Sequence, residues 1–257
     1  MSSNFIQYHV NAGIAQITFA RPEKKNALIN EMWSQLVELV RQAESDENVR
    51  VIVFAGDGGN FSAGYDLADF LHRPPVAADS PVFQFLTVVS NIAKPVVAAI
   101  EGVAVGIGTT LLLHTDFAYA ANNARFQLPF VNLGLCPEAA SSLLIPQLCG
   151  QRKAAELLML GQAFDAKTAL DCGLINQIVA PGEALTQALA TAQQLTQKPP
   201  AALRVTKALL KNANRQAIAE TLANEAQSFG RLLQSAEAKE AFAAFLEKRA
   251  PDFSKFK

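Results

Sequence analysis

The sequence predicts an α/β fold with a helical C-terminal region, and three observations predict it. Two apolar runs, VIVFAG at 51–56 and PVVAAI at 95–100, carry no polar residue, the pattern of strands covered on both faces. Each is followed by a glycine-rich turn and a helix start, at about Asp66 after the first and about Thr109 after the second. Beyond KPPA at 198–201 the pattern is helical, which divides the chain into a core of residues 1–197 and a helical region of 198–257.

Taken in order, residues 5–10 and 14–20 flank Asn-Ala-Gly and read as a hairpin. A basic loop, RPEKKNALI, leads to a helix over about 30–45, where Met32, Trp33, Leu36, Val37 and Val40 recur at helical spacing. The strand at 50–57 follows. HRPPVAADS at 72–80 reads as a mobile loop, then come a helix over about 82–92, the strand at 95–100 and a helix over about 109–113. Short strands are expected at 116–120 and 126–128, a helix at 137–148 bent at Pro146, and a strand at 174–179. A long helix over about 214–248 presents Ile218, Leu222, Phe229, Leu232 and Leu233 on one face, which the core or another subunit must cover.

The 257 residues, half of them hydrophobic, suffice for one large domain or a domain with an extension. A net charge of −1 provides no basic field to recruit nucleic acid or an anionic membrane. Cys136, Cys149 and Cys172 fit neither a disulfide framework nor a zinc pattern and read as core residues in a reducing compartment. No signal peptide is visible, and the longest apolar run, 103–113, is too short to span a bilayer, so a soluble cytoplasmic protein is expected.

The chemistry centres on the two glycine-rich turns. Gly106 and Gly108 bracket Ile107 at a helix start, where missing Cβ atoms let a ligand approach free N–H groups with the helix dipole behind them. The turn after residue 57 offers the same donors, and two such turns converging on one negative oxygen would make an oxyanion hole. Other sites fail on spacing. A GxGxxG dinucleotide fingerprint needs glycine where Phe61 stands, and a GxSxG elbow around Ser62 needs it at Asn60. His9, His72 and His114 read as surface or packed residues, and no set of histidines and carboxylates has metal-ligand spacing. Asp66 with Asp69 reads as an N-terminal capping arrangement, and Lys24 and Lys25 as solvated unless they meet a phosphate.

RPEKKNAL at 21–28, FSAGYDL at 61–67, IEGVAVGIG at 100–108 and LGLCPEAASSLLIP at 133–146 resemble, in that order, the crotonase (enoyl-CoA hydratase/isomerase) superfamily. The likeness runs from the first hairpin to the FLEKRAPDFSKF ending. It implies a crotonase spiral of ββα units with a C-terminal helical trimerisation region, assembled as a homotrimer or dimer of trimers. It also implies a coenzyme A thioester as substrate, with no separate cofactor and no metal. Carried over by position, the oxyanion donors are the backbone N–H groups of Tyr65 and Ile107, beside Gly106. Ala63, Gly64, Asp66 and Leu67 would hold the thioester and adenine, and Lys25, Ala27 and Leu28 would line the pantetheine and nucleotide path.

The resemblance also separates reactions. Hydratases of the superfamily place two glutamates around a water, where this chain has Thr110 and Phe130. Glu138 instead matches the single catalytic glutamate of peroxisomal-type Δ3,Δ2-enoyl-CoA isomerases, together with Pro137 and Ser141-Ser142. The implied activity is isomerisation of 3-enoyl-CoA to 2-trans-enoyl-CoA, in fatty acid β-oxidation. Its rivals are hydration or another enolate-forming reaction, and a non-catalytic acyl-binding module. The residues alone place Glu138 in the first turn of a helix starting at Pro137, a common place for an acid, among apolar neighbours that would raise its pKa.

Overall fold

β1 (Ile6–Asn11) and β2 (Ile14–Phe19) form the expected antiparallel hairpin, turning through Ala12 and Gly13 in left-handed backbone. The computed structural model describes residues 5–75 and 80–256. After β2 the chain runs through α1 (Asn30–Ser45) into β3 (Val51–Gly56), parallel to β2. Next come α2 (Leu67–His72), α3 (Pro81–Ser90), β4 (Val96–Ile100), β5 (Val103–Val105) and α4 (Ile107–Thr110). β6 (Phe117–Ala121), β7 (Arg125–Gln127), α5 (Ser141–Leu160), β8 (Phe164–Asp165), α6 (Ala166–Asp171) and β9 (Gln177–Val179) follow. Four helices end the chain: α7 (Ala184–Thr196), α8 (Pro200–Asn212), α9 (Arg215–Leu233) and α10 (Ala236–Leu246).

The larger sheet has the order β1-β2-β3-β4-β6-β9, and β5-β7-β8 form a second. The expectation of strands covered on both faces holds in β3 and β4. Ile52, Phe54, Val96, Ala98 and Ile100 enter the main core, while Val51, Val53, Ala55, Val97 and Ala99 face a smaller one closed by Ala184, Ala188 and Ala192 of α7. Alternation of side chains along a strand sends neighbours to opposite cores. β3 and β4 are parallel and in register, with Ala55 beside Ala99, so both glycine-rich turns leave the same edge of the sheet. Crevices at the carboxyl ends of parallel strands are where such folds bind ligands.

Several elements depart from expectation. The helix expected from Pro137 starts at Ser141, because Ala139 and Ala140 adopt left-handed backbone at φ 60° and 55°. Its break falls at Gly150 (φ 77°, ψ 160°) and not at Pro146, since glycine alone enters that region without strain. The long C-terminal helix is two, because the Ser235 hydroxyl caps a new one by accepting from Ala238 N at 3.0 Å. Strands β5 and β8 carry no pattern of their own and exist through pairing with β7. The helix expected at 109–113 starts at Ile107 and tightens into a 3₁₀ turn at Leu111–His114. The strand expected at 174–179 covers only Gln177–Val179. Part of the loop expected at 72–80 lies outside the described residues.

α9 packs on α3 and α5, and its Phe229 and Leu233 are buried in the chain's own core. No described helix is long and apolar enough to cross a membrane.

Candidate active site

The two glycine-rich turns are zipped together. Phe61 N donates to Glu101 O at 2.7 Å, Ser62 N to Val103 O at 3.0 Å, and Val105 N to Ser62 O at 2.9 Å. Closeness here requires glycine. A Cβ on Gly64, at φ 84°, would stand 2.5 Å from Val105 O, and one on Gly108 would stand 2.6 Å from Ser62 O. Gly64→Ala is therefore expected to cost about 2 kcal/mol or more through backbone strain and to push the turns apart. Denaturant midpoints and turnover measured together check this, and a variant matching the parent in both would show that the contact does not matter.

The basic loop supports the first turn by backbone pairing. Ala63 N donates to Lys25 O at 2.8 Å, Leu28 N to Gly64 O at 2.7 Å and Asp66 N to Leu28 O at 2.8 Å. Ser62 is fully buried, its hydroxyl donating to Asn26 O at 2.8 Å while accepting from Gly64 N at 3.1 Å, so its role is to brace the turn.

This pairing leaves two amides over. In the parallel bridge to Leu28, the bonds run through Gly64 O and Asp66 N, so Tyr65 N points the other way. Ile107 is the first residue of α4, where no helical carbonyl is available to its N–H. Neither amide donates to an acceptor among the described residues. Both residues line a cavity of about 740 Å³.

Glu138 lines the same cavity, as do Ala27, Ala63, Gly64, Asp66, Leu67 and Gly106. Lys25 and Leu28 are not among the residues that line it. They shape the cavity through their backbone, while Lys24 lines it instead. A larger cavity of about 1290 Å³ runs between α3, α8 and α9 and holds neither amide nor Glu138.

Glu138 sits in the non-helical turn before α5, so a helix-start role does not account for it. The residue is 8% exposed. Its Oε1 accepts from Thr110 Oγ1 at 2.5 Å, and its Oε2 has no partner among the described residues. Burial pushes the carboxyl up to about 8, opposed by the Thr110 hydrogen bond and helped by the nearby Glu225. His114, buried and held neutral, donates Nε2–H to Ala139 O at 2.8 Å and so fixes the turn from below.

The other carboxylate among the described lining residues is committed elsewhere. Asp66 is ion-paired with Arg21 Nη1 at 2.7 Å and caps α2 by accepting from Ala68 N and Asp69 N. Burial works against its ionised form, but these donors prevail and hold its pKa below the ordinary value. Asp69 does not complete a capping box. It accepts from Asn30 N at 2.7 Å and Arg73 at 2.9 Å, tying α2 to α1.

The sequence reading missed Thr110 as a partner of Glu138, Arg21 as the partner of Asp66, and Glu225. Only for Arg21 was there a signal, a basic residue in a loop already expected beside the turn.

The enoyl-CoA hydratase/isomerase family model matches residues 9–256. The chain belongs to this family. It is 33% identical over 261 residues to the 1,2-epoxyphenylacetyl-CoA isomerase of Escherichia coli K12, covering 97% of this chain and 98% of that protein. It is 34% identical over 210 residues to enoyl-CoA delta isomerase 2 of Rattus norvegicus, a match covering 79% of this chain and 54% of that longer protein. The solved structure of Pseudomonas aeruginosa OdaA superposes with a TM-score of 0.92 at 40% identity, covering 95% of this chain and 99% of that one. The crotonase fold expected from the motifs is thus the fold observed.

Proposed function

We propose that this family member is a Δ3,Δ2-enoyl-CoA isomerase that uses Glu138 as its single base. The observation that carries the reading is Glu138 Oε2 in one cavity with the N–H groups of Tyr65 and Ile107, all three without a partner among the described residues.

In this reading the thioester oxygen accepts from both amides. Glu138 Oε2 removes a proton from the alpha carbon of the 3-enoyl chain, and the electron pair spreads over the dienolate onto the oxygen. Two preorganised donors stabilise that charge where it develops. The same carboxyl then returns the proton to the gamma carbon, leaving the double bond between alpha and beta carbons. No water is consumed, and one base on one face serves both transfers. A carboxyl shifted towards 8 is a stronger base than an ordinary one, which suits removal of a weakly acidic C–H proton. Lys24 and the backbone around Ala27, Ala63 and Leu67 would meet the coenzyme A portion.

Hydration needs a second carboxylate to orient water. Among the described lining residues the only other one is Asp66, held by Arg21 and the α2 cap, while Phe130 adds an apolar wall. Isomerisation of a 3-enoyl-CoA, followed by appearance of the conjugated thioester, is therefore expected to outrun hydration of crotonyl-CoA by the same protein. Faster hydration would refute the choice of reaction.

A further inference from the structure

We propose that Glu225, on α9 of the C-terminal region, is a positioning residue for Glu138, clamping the turn that carries it. The inference rests on the cavity reading above but stands on separate contacts. Ala140 is the N-cap of α5 and has no side chain to satisfy the first N–H groups of that helix. Glu225 supplies the missing acceptor from 85 residues further along the chain. Its Oε2 accepts from Ala140 N at 2.6 Å, and its Oε1 accepts from Ser142 N at 3.0 Å and Ser142 Oγ at 2.5 Å. Donors on both oxygens favour the ionised carboxylate, against burial, the larger effect, which raises its pKa above the ordinary value.

The clamp has two effects on Glu138. It fixes Ala140 and Ser142 past the base, while His114 fixes Ala139, directly after the base, so the left-handed turn has one arrangement. The Glu225 charge also faces Glu138 and disfavours a second charge there. The other titratable groups near the pair are accounted for. Cys136, whose Sγ lies 3.8 Å from Glu225 O, is kept protonated by burial with a pKa of about 11, and His114 is kept neutral by burial with a pKa of about 4. Arg231, on the same helix as Glu225, acts on Cys136.

Two variants separate charge from reach. Glu225→Gln keeps the shape and removes the charge, so the Glu138 carboxyl should titrate lower than in the parent. That titration is followed as the infrared carboxyl signal lost in Glu138→Gln, and it needs no turnover, so the clamp and the choice of base fail separately. Glu225→Asp keeps the charge but shortens the reach, so the titration should stay near the parent's while turnover of 3-enoyl-CoA falls about 10- to 100-fold through misplacement of the base. An unmoved titration in Glu225→Gln, even with lowered thermal stability, would make Glu225 a helix cap alone. Turnover at the parent's level in Glu225→Asp would likewise overturn the clamp.

Discussion

Glu138→Gln is expected to lower turnover of 3-enoyl-CoA by about 10⁴-fold or more while leaving affinity for the CoA ester within a few-fold. Glutamine keeps the shape of the side chain and can still accept from Thr110, but it cannot take the alpha proton. The parent's pH profile follows from the same group. The base works ionised, so activity should climb as pH rises to about 8 and then level off. Stability runs the opposite way. The folded-state pKa is raised above the ordinary 4.5, so the folded protein holds the proton more tightly than the unfolded chain. The stabilisation is complete below 4.5 and is lost as pH rises through about 8. Glu138→Gln carries no such liability, and its melting temperature should gain on the parent's as pH is raised. A variant that turns over normally removes Glu138 from the chemistry, and one whose affinity falls in proportion to its activity makes it a binding residue.

The second large effect is expected from Ile107→Pro, which deletes one oxyanion donor and should add about 3 kcal/mol to the barrier. Proline is tolerable there on structural grounds. Ile107 is the first residue of α4, where the N–H has no helical acceptor and where proline is often found. Circular dichroism should therefore report a folded protein, and kcat should carry most of the loss. Tyr65→Phe is the control, since in the proposed mechanism Tyr65 acts through its amide. Its hydroxyl donates to Asn30 Oδ1 at 2.9 Å, far along the chain in a structural contact, and turnover should stay near the parent's. Normal turnover by a folded Ile107→Pro protein would exclude that amide.

What the sequence made legible was whatever periodicity and glycine placement encode locally. α1 runs from Asn30 to Ser45 as its apolar spacing required, and the hairpin and the buried strands β3 and β4 lie where their patterns put them. The glycine turns were legible as donors because a missing Cβ is visible in sequence. What they pack against was not, since the contacts of Gly64 with Val105 O and Gly108 with Ser62 O depend on β3 and β4 lying in register. Glu138 stood out only through resemblance. Its own neighbours suggested a helix start, and the turn escapes that because His114 and Glu225 hold Ala139 and Ala140 in left-handed backbone. Glu225 looks in sequence like any acid on a C-terminal helix, and only the fold brings it to the base.

The most direct test of a single base facing two amides is exchange at the alpha carbon, which needs no double bond to move. A saturated acyl-CoA incubated with the parent in deuterated buffer should take up deuterium at the alpha position, faster as pH rises to about 8. With Glu138→Gln the exchange should fall to the rate of buffer alone while the ester still binds. Deuterium uptake by Glu138→Gln at the parent's rate would contradict the assignment, because some other group would then be removing the proton.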